Sequence, residues 1–263
     1  LLHMKKILLL LCGFTMSIMT WAQKQFQLAS PDGSITTNIE IGDKLTYNIS
    51  VDGKQVLAPS PISITLSDGE VWGDKAKLSK SKKTSVNQTI SSPFYKRDQV
   101  TDQYNQLSLT FKKQWGIEFR AYNDGIAYRF VNQRKQPFTI EKEEVAYQFD
   151  SDVMTHIAYS NRGKDGDFDS QFMNSFENTY EVKKLSAQNK GRLMILPLVA
   201  TTDDGINICI SEVNLENYPG MFLTNKDKTN ALTGVMAAYP KKTEQGGHNM
   251  PVSYTHLTLP TNS

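Results

Sequence analysis

Phe119-Arg120-Ala121-Tyr122-Asn123-Asp124-Gly125-Ile126-Ala127-Tyr128-Arg129-Phe130 reads as two short strands joined by a turn, and this reading decides the fold class. Asp-Gly between runs of aromatic and aliphatic residues is a strong short-range hairpin signal. With Asp124-Gly125 as the turn, Asn123 faces Ile126, Ala121 faces Tyr128 and Phe119 faces Phe130, which makes one apolar face. The other face then sets Tyr122 opposite Ala127 and Arg120 opposite Arg129. Like charges directly opposite are unfavourable, so this register implies a carboxylate between the two guanidinium groups, supplied by a neighbouring strand or a neighbouring domain. A second hairpin, Val199 to Ile210 around Asp204-Gly205, places Val199, Thr201, Ile208 and Ile210 on one face by the same counting.

Outward from these hairpins the pattern is strand after strand. Ile35 to Ile41, Leu45 to Val51 and Ile62 to Leu66 alternate or carry β-branched residues, with Gly42-Asp43, Asp52-Gly53 and Pro59-Ser60-Pro61 as punctuation. Lys75 to Lys83 reads as a solvated, lysine-rich loop, and Leu107 to Phe111 and Trp115 to Phe130 resume the strands. No segment sustains a 3.6-residue period, so helix should be minor. The expected fold is all-β, a large antiparallel sandwich.

Length and charge limit the function classes. A chain of 263 residues fits one large β body. Lys+Arg number 29 against 27 Asp+Glu, and without Lys5 and Lys6 the balance is even. A neutral chain lacks the basic footprint of a nucleic-acid binder and any basic run that would hold it to an anionic membrane. Met4-Lys5-Lys6, the apolar stretch that follows and Thr20-Trp21-Ala22 have the order of a secretory signal. Residues 1–22 are therefore expected to be a signal peptide with a few upstream residues, cleaved after Ala22, and the product to be periplasmic or secreted. Leu11-Cys12 is a poor lipidation site because the residue before the cysteine is not small. No other apolar stretch approaches the ~18 residues of a membrane helix.

Cys209 is the one thiol beyond the signal and alternates with Ile206, Ile208 and Ile210, the setting of a small buried strand residue. Beyond the signal, the histidines are His156, His248 and His256. The first two are too few for a histidine zinc site and far apart for a catalytic pair. His256 falls in residues 251–263, an uncharged string that resembles translated sequencing adapter and is expected to be foreign to the gene.

The residues now carry a resemblance. The hairpin Phe119 to Phe130, then Ser175-Phe176-Glu177-Asn178-Thr179-Tyr180, then Thr202-Asp203-Asp204-Gly205 running into Ser211-Glu212-Val213-Asn214-Leu215-Glu216-Asn217-Tyr218-Pro219-Gly220, resemble the N-terminal domain of glycoside hydrolase family 97. Ser30-Pro31-Asp32-Gly33 and Tyr104-Asn105-Gln106-Leu107 fit as well. The likeness spans residues 23–250, essentially Gln23 to Asn249. It implies an antiparallel β-supersandwich of galactose-mutarotase-like type, followed in that family by a catalytic (β/α)8 barrel and a small β domain. The activity implied is that of an exo-acting, calcium-dependent α-glucosidase or α-galactosidase.

Glycoside hydrolysis uses two carboxylates flanking the bond, and the resemblance places both on the barrel. No catalytic residue is therefore assigned in this chain, whose own status as an enzyme stays open. The α-linked oligosaccharide would be bound by the barrel, against which this domain would pack. The resemblance further implies that Glu177 lends a carboxylate to Ca2+ beside the substrate. Glu212 and His248, in other family-like stretches, would line the substrate or domain interface. The alternative reading is a freestanding carbohydrate-binding or mutarotase-like sandwich, although His156 and His248 do not sit in settings that resemble a mutarotase's proton-transfer pair. Asp165, Asp167 and Asp169 have EF-hand spacing, but the loop lacks the glycine, the final glutamate and the flanking helices of that site. They read as an exposed acidic loop.

Overall fold

The computed structural model describes residues 24–94, 96–172, 177–216, 218–227, 229–237 and the backbone of 257–258. Its strands are β1 (Lys24–Ala29), β2 (Ile35–Ile41), β3 (Leu45–Val51), β4 (Lys54–Leu66), β5 (Val71–Trp72), β6 (Leu78–Ser91), β7 (Gln99–Phe111), β8 (Trp115–Tyr122) and β9 (Gly125–Asn132). They continue as β10 (Thr139–Phe149), β11 (Met154–Ile157), β12 (Glu181–Lys184), β13 (Leu198–Thr201), β14 (Asn207–Ile210), β15 (Met221–Thr224), β16 (Ala231–Met236) and β17 (Leu257–Thr258). Among the described residues the helical elements are one turn, α1 (Phe168–Gln171), and a 3-10 turn at Leu185–Ala187.

The largest sheet runs β1-β2-β3-β4-β10-β16-β15, with β5 joined to β4 and β17 to β10. Two four-stranded sheets, β6-β7-β8-β9 and β12-β11-β13-β14, complete the fold, and the pairings are antiparallel. The strict alternation of β2, buried at Ile35, Thr37, Ile39 and Ile41, shows why a single face is enough to fix register. One apolar cluster draws on all three sheets, with Ile39, Leu45 and Ile62 from the first, Leu107, Ile117 and Phe119 from the second, and Ile157, Leu198 and Ile210 from the third. The expected all-β antiparallel architecture is therefore what the chain adopts.

The first hairpin differs from its expected register by a two-residue slip. Tyr122 pairs with Gly125, which makes Asn123-Asp124 the turn, and Ala121, Phe119 and Ile117 face Ile126, Tyr128 and Phe130. A two-residue slip keeps each side chain on its face, so the apolar face survives and only the partners change. Asn123 is held in the turn by its Oδ1, which accepts the Asp32 N–H at 3.1 Å. The opposed arginines disappear with the slip. Arg120 faces Ala127, and Arg129 faces Glu118, whose Oε2 accepts from Arg129 Nε at 2.9 Å. The expected carboxylate between two facing arginines is therefore not required, and Glu118 on the adjacent strand pairs with Arg129 instead. Arg120 instead donates to Gln106 Oε1 at 2.8 Å and lies 4.3 Å from the Tyr104 ring centroid. Because the Arg129 side chain is 63% exposed, Arg129→Gln should cost no more than about 1 kcal/mol. Equilibrium urea unfolding would check this, and a larger loss would mean that the pair does more than cap an exposed strand.

The second hairpin slips by one, which does change faces. Thr202 N–H bonds Ile206 C=O at 3.0 Å, Gly205 N–H bonds Thr202 C=O at 2.9 Å, and Gly205 has φ +85°. This is a turn followed by a left-handed residue, a three-residue loop of odd count. Leu198 now pairs with Ile210 and Ala200 with Ile208, while Val199 and Thr201 pair with Cys209 and Asn207 on the opposite face. Cys209 is consequently exposed, contrary to the buried setting expected from its isoleucine neighbours.

Two more expectations are corrected. Pro59-Ser60-Pro61 lies within β4 instead of breaking it, because the ladder there is irregular and the Ser60 hydroxyl takes part by accepting the Gln148 N–H at 2.9 Å. Much of the lysine-rich stretch Lys75 to Lys83 belongs to β6, an edge strand whose exposed lysines are a usual guard against edge-to-edge association.

Candidate functional site

Glu177 lies in the connection from α1 to β12. The platform beneath it is built from short loops pinned by buried polar side chains. Gln171, fully buried, donates through Nε2 to Lys164 C=O at 2.7 Å and Gly191 C=O at 3.0 Å, and its Oε1 accepts the Leu193 N–H at 2.8 Å. Gln188, also fully buried, accepts from the Tyr159 hydroxyl and donates to Thr155 Oγ1. Asn178 donates to Tyr159 C=O at 2.6 Å, which fixes the residue next to Glu177. Glu177 itself is exposed, with no hydrogen-bond or ion-pair partner among the described residues. Nearby on β12, an outer strand of its sheet, Tyr180 precedes and Val182 lies within a 60% and 57% exposed apolar pair.

Two of the three aspartates of the neighbouring loop are engaged locally, while Asp169 is exposed with no such partner among the described residues. Asp165 pairs with Arg192 Nε at 2.8 Å, and Asp167 caps α1 by accepting the Ser170 N–H at 3.3 Å. Among the described residues no group of three or more His, Cys, Asp or Glu side chains could hold a metal ion. The calcium-binding chemistry available among the described residues is thus separate exposed carboxylates such as Glu177, a fit for a single ligand position and not for a closed site. His156 lies on β11 opposite Val182, and His248 lies outside the described residues.

Glu212 belongs elsewhere. It lines a groove of about 630 Å³ flanked by two sheet-edge strands, β9 and β14, and floored by residues of β3, β4 and β10, whereas Glu177 does not line it. Both Glu212 carboxylate oxygens accept the Met221 N–H at 3.1 Å, and burial raises its pKa above the ordinary carboxylate value. Beside it on the groove wall, Glu143 accepts a 2.5 Å hydrogen bond from the Tyr218 hydroxyl. Burial pushes the Glu143 pKa up to about 7, against the Tyr218 hydrogen bond and with a smaller push from Glu212. Tyr47, Tyr128 and Tyr147 also line the groove, their phenols raised above the usual range by burial.

Sequence reasoning did not single out Glu143. It sits in Glu141-Lys142-Glu143-Glu144, which looks like a solvated charge run, and β-bulges on either side break the alternation that would have marked its face.

Comparison with known proteins adds a consistent set of likenesses. The family described as Glycosyl-hydrolase 97 N-terminal matches residues 28–254. A retaining alpha-galactosidase of Bacteroides thetaiotaomicron is 54% identical over 246 residues, covering 94% of this chain and 37% of that protein. A Glycoside Hydrolase Family 97 enzyme in complex with acarbose, from Pseudoalteromonas sp. strain K8, superposes with a TM-score of 0.68 at 23% identity, over 81% of this chain and 32% of its own. A beta-arabinopyranosidase superposes with a TM-score of 0.71 at 19% identity, over 89% and 38%. At such identities the two structures speak to the fold alone. The chain spans just over a third of the length of the curated relative it matches.

Proposed function

The chain belongs to glycoside hydrolase family 97 as its N-terminal domain, and from that premise we propose that it is the accessory β domain of a calcium-dependent, exo-acting α-galactosidase of retaining type. The observation that carries the reading is the 54% identity to a retaining alpha-galactosidase, sustained over 94% of the chain. The two carboxylates that hydrolysis requires are assigned to the catalytic domain of the longer protein, against which this domain packs, and the α-linked oligosaccharide is bound there. Residues 1–22 are read as an export signal that delivers the protein to the periplasm or beyond, and they lie outside the described residues.

Glu177 is proposed as this domain's contribution to the calcium site. Its support is chemical: a hard oxygen donor, exposed and uncommitted, on a loop whose base is held by buried hydrogen bonds. Calcium takes six to eight oxygens and one carboxylate supplies at most two, so the remaining ligands come from the catalytic domain. When bound, the ion supplies positive charge beside the sugar. What this chain's residues do is hold Glu177 at the domain boundary, where exposed Tyr180 and Val182 offer an apolar contact.

The chain by itself should bind calcium only in about the millimolar range of the weakest protein sites, and should not turn over an aryl α-galactoside. In a protein carrying the catalytic domain as well, Glu177→Gln should lower activity and raise the calcium concentration needed to restore it. Titration calorimetry and calcium-dependent assays test both points. Tight calcium binding by the chain alone, or an unchanged calcium requirement in the variant, would remove Glu177 from the site. The mutarotase-like alternative loses ground because His156, the described histidine beyond the signal, does not line the groove that holds Glu143 and Glu212.

A further inference from the structure

We infer that the groove between β9 and β14 is a second carbohydrate site, one that takes a single neutral sugar unit or the end of a short oligosaccharide independently of calcium. This goes beyond the accessory role proposed above and does not rest on it, since the site lies within this chain.

Three observations lead there. First, the space is of ligand size: about 630 Å³ falls within the roughly 300–1,000 Å³ of small-molecule pockets. Secondly, its aromatic lining leaves polar groups unused. Tyr128 and Tyr147 both line the groove, and neither hydroxyl has a hydrogen-bond partner among the described residues. Tyr47, at 5.6 Å between ring centroids from Tyr128, directs its own hydroxyl to Ala146 C=O over a weak 3.5 Å. Tyr128 and Tyr147 are part-exposed, so their hydroxyls open onto the groove and a ligand rich in hydroxyl groups can pair with them there.

Thirdly, the charge is of one kind. Four acids, Asp124, Glu143, Glu212 and Glu216, line the groove, and the cation on its rim, Arg129, is committed to Glu118 at 2.8 Å. Carboxyl groups hydrogen-bond sugar hydroxyls and repel anions, which selects a neutral sugar over a uronic acid or a sugar phosphate. Glu143, whose burial holds its pKa at about 7, presents both a donor and an acceptor form near neutrality. The aromatic faces supply the apolar contact that the C–H side of a pyranose needs, in the way that other amphipathic ligands use tyrosine.

The test is a titration of the purified chain, in EDTA, with methyl α-D-galactopyranoside, methyl α-D-glucopyranoside and sodium galacturonate, followed by amide chemical shifts and tyrosine fluorescence. One or both neutral glycosides should saturate at about millimolar concentration, equivalent to about 4 kcal/mol of binding, with shifts confined to β9, β10 and the segment after β14. Galacturonate should bind at least about tenfold more weakly, the effect of one unfavourable charge contact of about 1.4 kcal/mol.

Tyr128→Phe and Tyr147→Phe remove only a hydroxyl and keep the packing. Each should weaken binding by about fivefold, the value of one neutral hydrogen bond. Ile90→Ser, on exposed β6 away from the groove, should bind as the parent does. No saturable response to either neutral glycoside, equal binding of galacturonate, or unchanged affinity in both phenylalanine variants would overturn the inference. Loss of calcium binding at Glu177 would leave it untouched.

Discussion

Gln171→Leu is expected to lower the unfolding free energy of the chain by about 3–5 kcal/mol, because one buried amide joins three loops and leucine replaces none of its bonds. The side chain is fully buried and fully used, with two donor contacts to Lys164 and Gly191 C=O and one acceptor contact from Leu193 N–H. The two carbonyls keep other partners, Asp167 N–H at 3.1 Å and Gly166 N–H at 2.9 Å, so losing the amide costs each only about 1 kcal/mol. Leu193 N–H is different. Leu193 is fully buried, and its N–H would be left without an acceptor at a cost of about 1–3 kcal/mol. Urea unfolding gives the total, and hydrogen exchange of the Leu193 amide reads the local bond directly. An unchanged exchange rate, or a loss below about 1 kcal/mol, would show that the loops beneath Glu177 are not held by this residue.

The importance of Gln171 was invisible in Phe168-Asp169-Ser170-Gln171, where a glutamine among polar residues has every mark of an exposed loop. Its burial follows from tertiary closure of the α1 and 189–193 segments, which no local pattern encodes. The strands, in contrast, were legible wherever one face alternates: Ile35–Ile41 and Leu45–Val51 form with the boundaries that alternation predicts. The Asp52-Gly53 turn between β3 and β4 was equally plain, and the structure gives both residues positive φ, 49° and 79°, as a two-residue hairpin turn of this kind requires.

Where the reading failed, a single extra or displaced residue was responsible. At Asp204-Gly205 an odd loop exchanged the faces of β13 and β14, and at Asn123-Asp124 a side-chain bond from Asn123 moved the turn by one position. Turn chemistry identifies that a hairpin exists much more firmly than it sets parity. The candidate site shows the same division. Glu177 was singled out from its motif setting as an expectation, and the structure shows it exposed. The groove could not be named, because its walls come from β3, β4, β9, β10 and β14 at once, and its acid lies between two bulges.

That buried acid sets the remaining prediction. Glu143 has its pKa raised from 4.5 to about 7 in the folded chain, first of all by burial. Between those values the native state binds a proton that the unfolded chain has released, so stability must fall as pH rises from about 4.5 to about 7 and level off above. A shift of that size corresponds to up to about 3 kcal/mol, since each unit is about 1.4 kcal/mol, and to less where water in the groove reaches the carboxyl. Glu212, whose pKa is also raised, acts in the same direction over the lower part of the window.

Glu143→Gln keeps the shape and an oxygen to accept the Tyr218 hydroxyl, but carries no charge at any pH. The variant should match the parent near pH 4.5 and exceed it at pH 8 by up to about 3 kcal/mol. Its urea midpoint should therefore decline less than the parent's across that interval, with the Glu212 share left. The two proteins measured at both pH values, with equal denaturant slopes as the condition for comparison, decide the matter. A parent whose stability rises from pH 5 to pH 8, or a variant that falls in parallel with it, would mean that Glu143 ionises in the folded chain as an ordinary solvated glutamate.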